Sequence, residues 1–227
     1  MLLYLISKKT QDIGALWQKI KTKYENTSLV ASLEDYISAS GKKNREERIL
    51  VATLLMESLG HMKCFNHECR EPLTFEKYDI GKPYFTGTNL RVNVAHNEKF
   101  VVIAYAKYGE IGVDIESEID EEKAEKLSKR FPNIGLLKAE QKGDGSIGKI
   151  LAFEMSAEDV FTPISLASAD CSFTAKWTAA EAIMKCDGGG FSALPELQKL
   201  RADMNTFSFT FDAEEKKQYV SICINER

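Results

Sequence analysis

The sequence predicts an α+β fold, on three observations. Helical and strand-like patterns follow one another in mixed order, without the regular strand–helix alternation of a doubly wound sheet. The 227 residues are 44% hydrophobic, enough for one large domain or two small ones with real cores. Each side of a boundary near Lys107 to Gly109 holds both kinds of pattern, so two halves are expected, over residues 1–108 and 109–227. No sequence repeat relates them and no low-complexity or Pro-rich linker separates them, so they should pack closely.

The elements follow in order. "MLLYLISKK" is too short an apolar run for a signal peptide or a membrane span and reads as a first strand. "DIGALWQKIKTKYE" places Ile13, Leu16, Trp17 and Ile20 at helical spacing, and "LVASLEDYI" gives a second short helix. The third helix, "NREERILVATLLMESLG", has Asn44 as N-cap with Glu47 three residues on, and Gly60 as terminator. Its start is basic, with Lys42, Lys43, Arg45 and Arg48. "LTFEKYDIGKPYF", "LRVNVAHNE", "KFVVIAYAKYGE" and "IGVDIESE" are rich in β-branched and aromatic residues and broken by Gly, Asn and Pro, which predicts strands. A helix "DEEKAEKLSKRF" follows, then the polar "KAEQKGDGSIGK", a short apolar segment around "ILAFEM", the helix "FTAKWTAAEAIMKCDGGGF", and strands "TFSFTF" and "QYVSICI".

Thirty Lys and Arg against 34 Asp and Glu leave a net charge of −4. A broad nucleic-acid-binding surface is therefore not expected, and an anionic ligand must meet a local cationic patch. The five cysteines, at 64, 69, 171, 186 and 223, are odd in number and irregularly spaced, which argues for a reducing compartment, by default the cytoplasm. No stretch suggests membrane insertion.

Two stretches carry chemistry. On the strand "GVDIES", Asp114 and Glu116 point to one side and Ile115 to the other, so two carboxylates sit adjacent. That is costly without a cation. In the helix "FTAKWTAAEAIMKCD", Trp177, Glu181 and Lys185 are four residues apart and share a stripe. Glu181 as a third oxygen ligand would suit Mg²⁺, which keeps waters and works on phosphates.

These stretches, in this order, resemble the paired signature of phosphopantetheinyl transferases of the surfactin-synthetase-activating type, a G-x-D-x-E strand followed by a W-x-x-K-E-A-x-x-K helix and a glycine turn. Upstream, "GKPYF" and "VNVAHNEKFVVIAYA" resemble the family's G-K-P-x-F and F-N-I-S-H-S segments. The resemblance spans about residue 42 to the glycines at 188–190. It implies two similar α+β halves related by a pseudo-twofold, with coenzyme A held between them, so that one chain makes a site and a monomer suffices. The implied reaction moves phosphopantetheine from coenzyme A to a serine of an acyl or peptidyl carrier protein. In that reading Asp114, Glu116 and Glu181 hold Mg²⁺ on the pyrophosphate, and Lys185 neutralises phosphate charge. His96, Lys82 and the basic start of the third helix, including Lys42 and Arg48, grip the nucleotide phosphates. Asp114, Glu181 and Lys185 are the catalytic set. Such a reaction needs positioning and neutralisation of spreading charge more than covalent help.

The sequence also departs from the family. Ala180 stands where the family has lysine, Ala95 and Asn97 where it has serines, and Ala52 where it has an arginine, with Arg48 one turn earlier as a substitute. The segment between Glu116 and Trp177 is long, and Glu140, Glu154 and Glu158 compete as general base. An alternative is therefore a catalytically impaired relative that binds coenzyme A or a carrier. Against it, three crowded acids would repel one another without Mg²⁺. An acidic carrier would dock on a basic surface, for which the helix with Lys123, Lys126, Lys129 and Arg130 is the candidate. Zinc on His61, Cys64, His67 and Cys69 competes weakly as a metal site, since all four lie on one short segment with no distant second pair.

Overall fold

The computed structural model describes residues 1–9, 12–24, 28–39, 41, 44–62, 72–135, 137, 150–156, 160–213 and 216–226. Among them seven helices, one 3-10 segment and eleven strands alternate in mixed α+β order.

Strand β1 (Leu2–Ser7) is apolar on both faces because two cores meet it. Tyr4 and Ile6 join one, and Leu3 and Leu5 the other. It is the centre of a five-stranded sheet ordered β4-β5-β1-β7-β8, with β4 (Arg91–His96), β5 (Phe100–Ala106), β7 (Leu151–Met155) and β8 (Phe161–Pro163). β1 runs antiparallel to β5 and parallel to β7. "ILAFEM" is thus a strand, and the chain beyond Gly109 returns to the sheet begun by the first residues. A five-residue apolar run has no periodicity that tells strand from helix, so pairing with β1 decides it.

Helices α1 (Ile13–Lys23), α2 (Ser28–Ser38) and α3 (Arg45–His61) cover the face of this sheet that holds Tyr4, Ile6, Val101, Ile103 and Tyr105. Every residue of α3 from Leu50 to Leu59 is buried. Gly60 lies inside α3 rather than past its end, and Asn44 makes no side-chain cap. The expected capping box fails because Glu47 turns to other partners. The hairpin β2 (Thr74–Lys77) and β3 (Pro83–Thr86) packs on α2.

The second sheet is ordered β6-β11-β10-β9, with β6 (Glu110–Ser117), β11 (Lys216–Asn225), β10 (Asn205–Ala213) and β9 (Ala167–Ser168). Ile111, Val113 and Ile115 of β6, with Val220 and Ile222, face Leu3, Leu5 and Val102 of the first sheet. Outside lie α4 (Glu121–Arg130), the short α5 (Pro132–Gly135), α6 (Phe173–Asp187), the 3-10 segment Gly190–Glu196 and α7 (Leu197–Ala202). The layers run helix, sheet, sheet, helix.

Two features position the site. β4 and β6 are the neighbouring edge strands of their sheets. The Asn93 Oδ1 accepts a hydrogen bond from the Val113 N–H at 3.1 Å, and the Asn97 Nδ2 donates to the Gln218 Oε1 at 2.9 Å. These amides serve polar groups at a buried seam that no strand ladder crosses. The second feature is Gly112, whose missing Cβ lets α6 lie directly on β6. A Cβ there would fall inside van der Waals contact of the Ala182 carbonyl and the Cys186 backbone nitrogen. α6 starts at the Ser172 cap, which accepts from the Ala175 N–H, and stops at Gly188. That glycine takes φ 87°, and its N–H donates to the Met184 carbonyl at 3.0 Å.

Candidate functional site

Because β6 alternates, Gly112, Asp114 and Glu116 face α6 while Ile111, Val113 and Ile115 face the inter-sheet core. The Lys185 ammonium of α6 donates to the Asp114 Oδ1 at 2.6 Å and lies 3.9 Å from the Glu181 Oε2. Asp114 is 4% exposed, and its Oδ2 is buried with no hydrogen-bond partner. Burial pushes the Asp114 carboxyl above the usual carboxylate range against the opposing pull of Lys185. Burial and then the Asp114 charge raise Glu116 as well. Burial first, and the charges of Asp114 and Glu116 after it, hold Glu181 at about 7. Three acids therefore share one field, partly neutralised by the Lys185 ammonium and, at Glu116, by Lys123. Among the described residues no three His, Cys, Asp or Glu side chains close to metal-ligand spacing; Lys185 stands where a cation would draw Asp114 and Glu181 together.

A protonated Glu181 has a consequence for folding. Its folded proton affinity is raised above 4.5, so the stability it adds is fully present below about pH 4.5 and lost as pH rises through about 7. Without a divalent cation, folding stability is expected to fall between pH 5 and pH 8 by an amount on the order of 3 kcal/mol, read as a falling thermal midpoint. Glu181→Gln should flatten that slope. An unchanged slope in this variant would place the proton elsewhere.

Beside the acids lies a cavity of about 260 Å³ whose lining includes Tyr36, Glu47, Arg48, Lys77, Val94 and His96. The Arg48 guanidinium donates to the Tyr36 carbonyl at 2.6 Å and stacks over the Tyr36 ring at 4.7 Å, while the Lys77 ammonium sits 4.8 Å from the same ring. Burial and then the Arg48 charge lower Lys77, and burial pushes the Tyr36 phenol up to about 12, so it stays neutral. The His96 Nε2 is 2.9 Å from the Glu47 Oε1, and the Glu47 Oε2 takes the Lys8 ammonium at 2.7 Å. Burial lowers His96 most, Glu47 opposes, and Lys8 and Lys185 lower it further. Lys185 thus acts on both the acids and the cavity.

The other residues singled out in the sequence fall in varied places. The Lys82 ammonium donates to the Cys186 carbonyl at 2.8 Å and to the Glu110 Oε2 at 2.6 Å, with its side chain 9% exposed. It fastens the last turn of α6, whose carbonyls lack helical partners, instead of reaching into the cavity. Lys42, Glu140 and Glu158 lie outside the described residues, as do Cys64, His67 and Cys69. His61 hydrogen-bonds the Tyr4 hydroxyl at 3.0 Å and packs on Phe153 and Phe161. Glu154 is on β7, three strands from β4, or about 14 Å at sheet spacing. Trp177 packs among Phe131 and Phe173. Ala52, Ala95 and Ala180 are all buried, Ala52 and Ala180 completely. Lys126 and Lys129 of α4 pair with Glu122 and Glu125 one turn away. Lys77, Tyr36 and Glu47 also line the cavity, and no sequence motif assigns them to it. Phe75 and Lys77 alternate onto one face of β2, which is a signal, but only α2 packing there makes it a cavity.

No protein-family model and no curated protein matches this chain.

Proposed function

We propose that this chain is a phosphopantetheinyl transferase, moving phosphopantetheine from coenzyme A to a serine of an apo carrier protein with the help of Mg²⁺. The observation that carries the reading is the Asp114 Oδ2, a buried carboxylate oxygen without a partner, facing two further acids beside a cationic cavity. An unpaired buried oxygen costs free energy unless a ligand uses it. An all-oxygen set fits a hard cation, and Asp114, Glu116 and Glu181 would hold Mg²⁺. Bound there, Mg²⁺ would neutralise charge on a pyrophosphate.

The chain's own residues then divide the work. Arg48, Lys77 and His96 bind the phosphate of the adenosine end, and the Tyr36 ring with its two stacked cations walls that pocket. Lys185 neutralises the pyrophosphate. The carrier serine oxygen bonds to the phosphorus that bears pantetheine, the pyrophosphate bond breaks and 3′,5′-ADP leaves. The proton released by the serine passes to solvent, since Glu181 serves as a metal ligand in this reading. A pseudo-twofold relation is proposed between the two sheets, which each carry helices on the outer face and meet at their edges β4 and β6, although β7 and β8, from beyond Gly109, belong to the first sheet. Among the described residues no helix is long and apolar enough to cross a membrane, in keeping with a cytoplasmic enzyme, and a complete site in one chain fits a monomer.

The test is incubation with coenzyme A, Mg²⁺ and an apo carrier protein, followed by mass spectrometry. The phosphopantetheine mass increment is expected on the carrier, with 3′,5′-ADP released. Tight coenzyme A binding without that increment would favour the impaired relative. Carrier docking is proposed on α4. Its Lys126 and Lys129 are already paired with exposed glutamates, and such pairs contribute about 0.3–0.5 kcal/mol, so a partner can compete for them. Lys126→Glu with Lys129→Glu should raise the carrier KM about tenfold while sparing coenzyme A binding. An unchanged carrier KM would remove α4 from the interface.

A further inference from the structure

We propose that Lys185 is a built-in counter-ion that keeps the three acids closed to a free divalent cation and yields to one that arrives with a pyrophosphate. This rests on the Mg²⁺ assignment above and adds an order of events to it. The Lys185 ammonium lies 2.6 Å from the Asp114 Oδ1 and 3.9 Å from the Glu181 Oε2, so it spans β6 and α6. A divalent ion on these oxygens would meet the Lys185 ammonium within a few ångströms and be repelled by it, which offsets about the attraction of one carboxylate at the same distance. To take both Asp114 oxygens a free cation must displace Lys185 from its closest anion.

Eviction is mechanically easy. The Lys185 side chain is 32% exposed on a flexible four-carbon stem, so the ammonium can swing toward water while its Cα stays put. α6 itself is held, by close packing on Gly112 and by Lys82 on the Cys186 carbonyl. When the cation arrives on a pyrophosphate, Lys185 exchanges Asp114 for a phosphate oxygen and loses nothing. Asp114 then offers both oxygens, including the Oδ2 that has no partner otherwise. Metal and pyrophosphate must then bind with positive coupling, and Lys185 is the residue that couples them. A lysine that served only as a phosphate contact would leave free-metal binding untouched.

The probes are Mn²⁺ alone, and coenzyme A in the presence of Mn²⁺, each titrated by calorimetry at pH 8, with free Mn²⁺ counted by electron paramagnetic resonance. Lys185→Met is expected to bind Mn²⁺ alone at least about tenfold more tightly than the wild type and coenzyme A at least about tenfold more weakly, opposite signs from one substitution. Lys185→Arg, which keeps the charge, should retain the wild-type pattern. If Lys185→Met does not fold by circular dichroism, Lys185→Gln takes its place. Mn²⁺ binding that is no tighter in the neutral variant overturns the counter-ion while transfer by the wild type stands. Tighter Mn²⁺ binding with no transfer by the wild type supports the counter-ion and sinks the transferase reading. No Mn²⁺ binding by either protein overturns both.

Discussion

Gly112→Ala is expected to lower folding stability by about 3 kcal/mol, the upper end for overpacking a core, and the thermal midpoint by roughly 6–12 °C. Two effects oppose. Alanine restricts the unfolded chain and so favours folding by about 0.4–1 kcal/mol. The added methyl, however, would collide with the Ala182 carbonyl and the Cys186 nitrogen, and its distance to the Cys186 Cα would be 3.0 Å. These are backbone atoms of a helix, so no rotamer change relieves the clash. α6 must lift from β6 as a unit. Glu181 and Lys185 would then leave Asp114, and transfer should fall even at temperatures where the variant is folded. A midpoint within about 2 °C of the wild type, less than the shift for 1 kcal/mol, would show that the helix has room and that the glycine has no part in placing the acids.

Gly112 also marks what could be read from the sequence. The G-x-D-x-E spacing put Asp114 and Glu116 on one face, because a strand's period is fixed by its backbone. The helix stripe put Glu181 beside Lys185 for the same kind of reason. Which side chain meets which partner was not legible, because that depends on how elements dock. Glu47 has capping-box spacing from Asn44, yet a neighbouring histidine and lysine draw it away. Lys82 precedes a proline in an apparent turn, and only the arrival of the α6 C-terminus gives it carbonyls to bind. Lys77 and Tyr36 are unremarkable until the β2 hairpin lies on α2. Ala180 directly precedes Glu181, where the resemblance leads one to expect a lysine. It is wholly buried in the core with Trp177, Ile183 and Met184, so a lysine there would have to force its stem out of that core before its charge reached water.

Asp114→Asn should lower transfer by about 100- to 1000-fold, yet leave the protein as stable as before or more so. Loss of activity follows from removing the acid that Lys185 hydrogen-bonds and whose second oxygen has no protein partner; charge stabilisation at a phosphoryl group commonly supplies about 3–4 kcal/mol per group. Breaking a buried ion pair is destabilising when the surviving charge stays trapped. Here the survivor is Lys185, 32% exposed and 3.9 Å from the Glu181 Oε2, so it keeps both water and an anion within reach. The carboxylate that is removed is the one burial disfavours, since its folded proton affinity is raised. Stability tied to its protonated form is present at acid pH and lost as pH rises, so the variant should gain over the wild type at pH 8 and gain nothing at pH 4. Removing the Asp114 charge also takes away the second-largest cause of the raised Glu181, whose titration should then move down from about 7. A stable, inactive protein with a lowered Glu181 titration is what a functional acid predicts. An Asp114→Asn protein that melts far below the wild type at pH 8 while still transferring phosphopantetheine would make Asp114 a structural anchor for α6 and end its assignment to the metal.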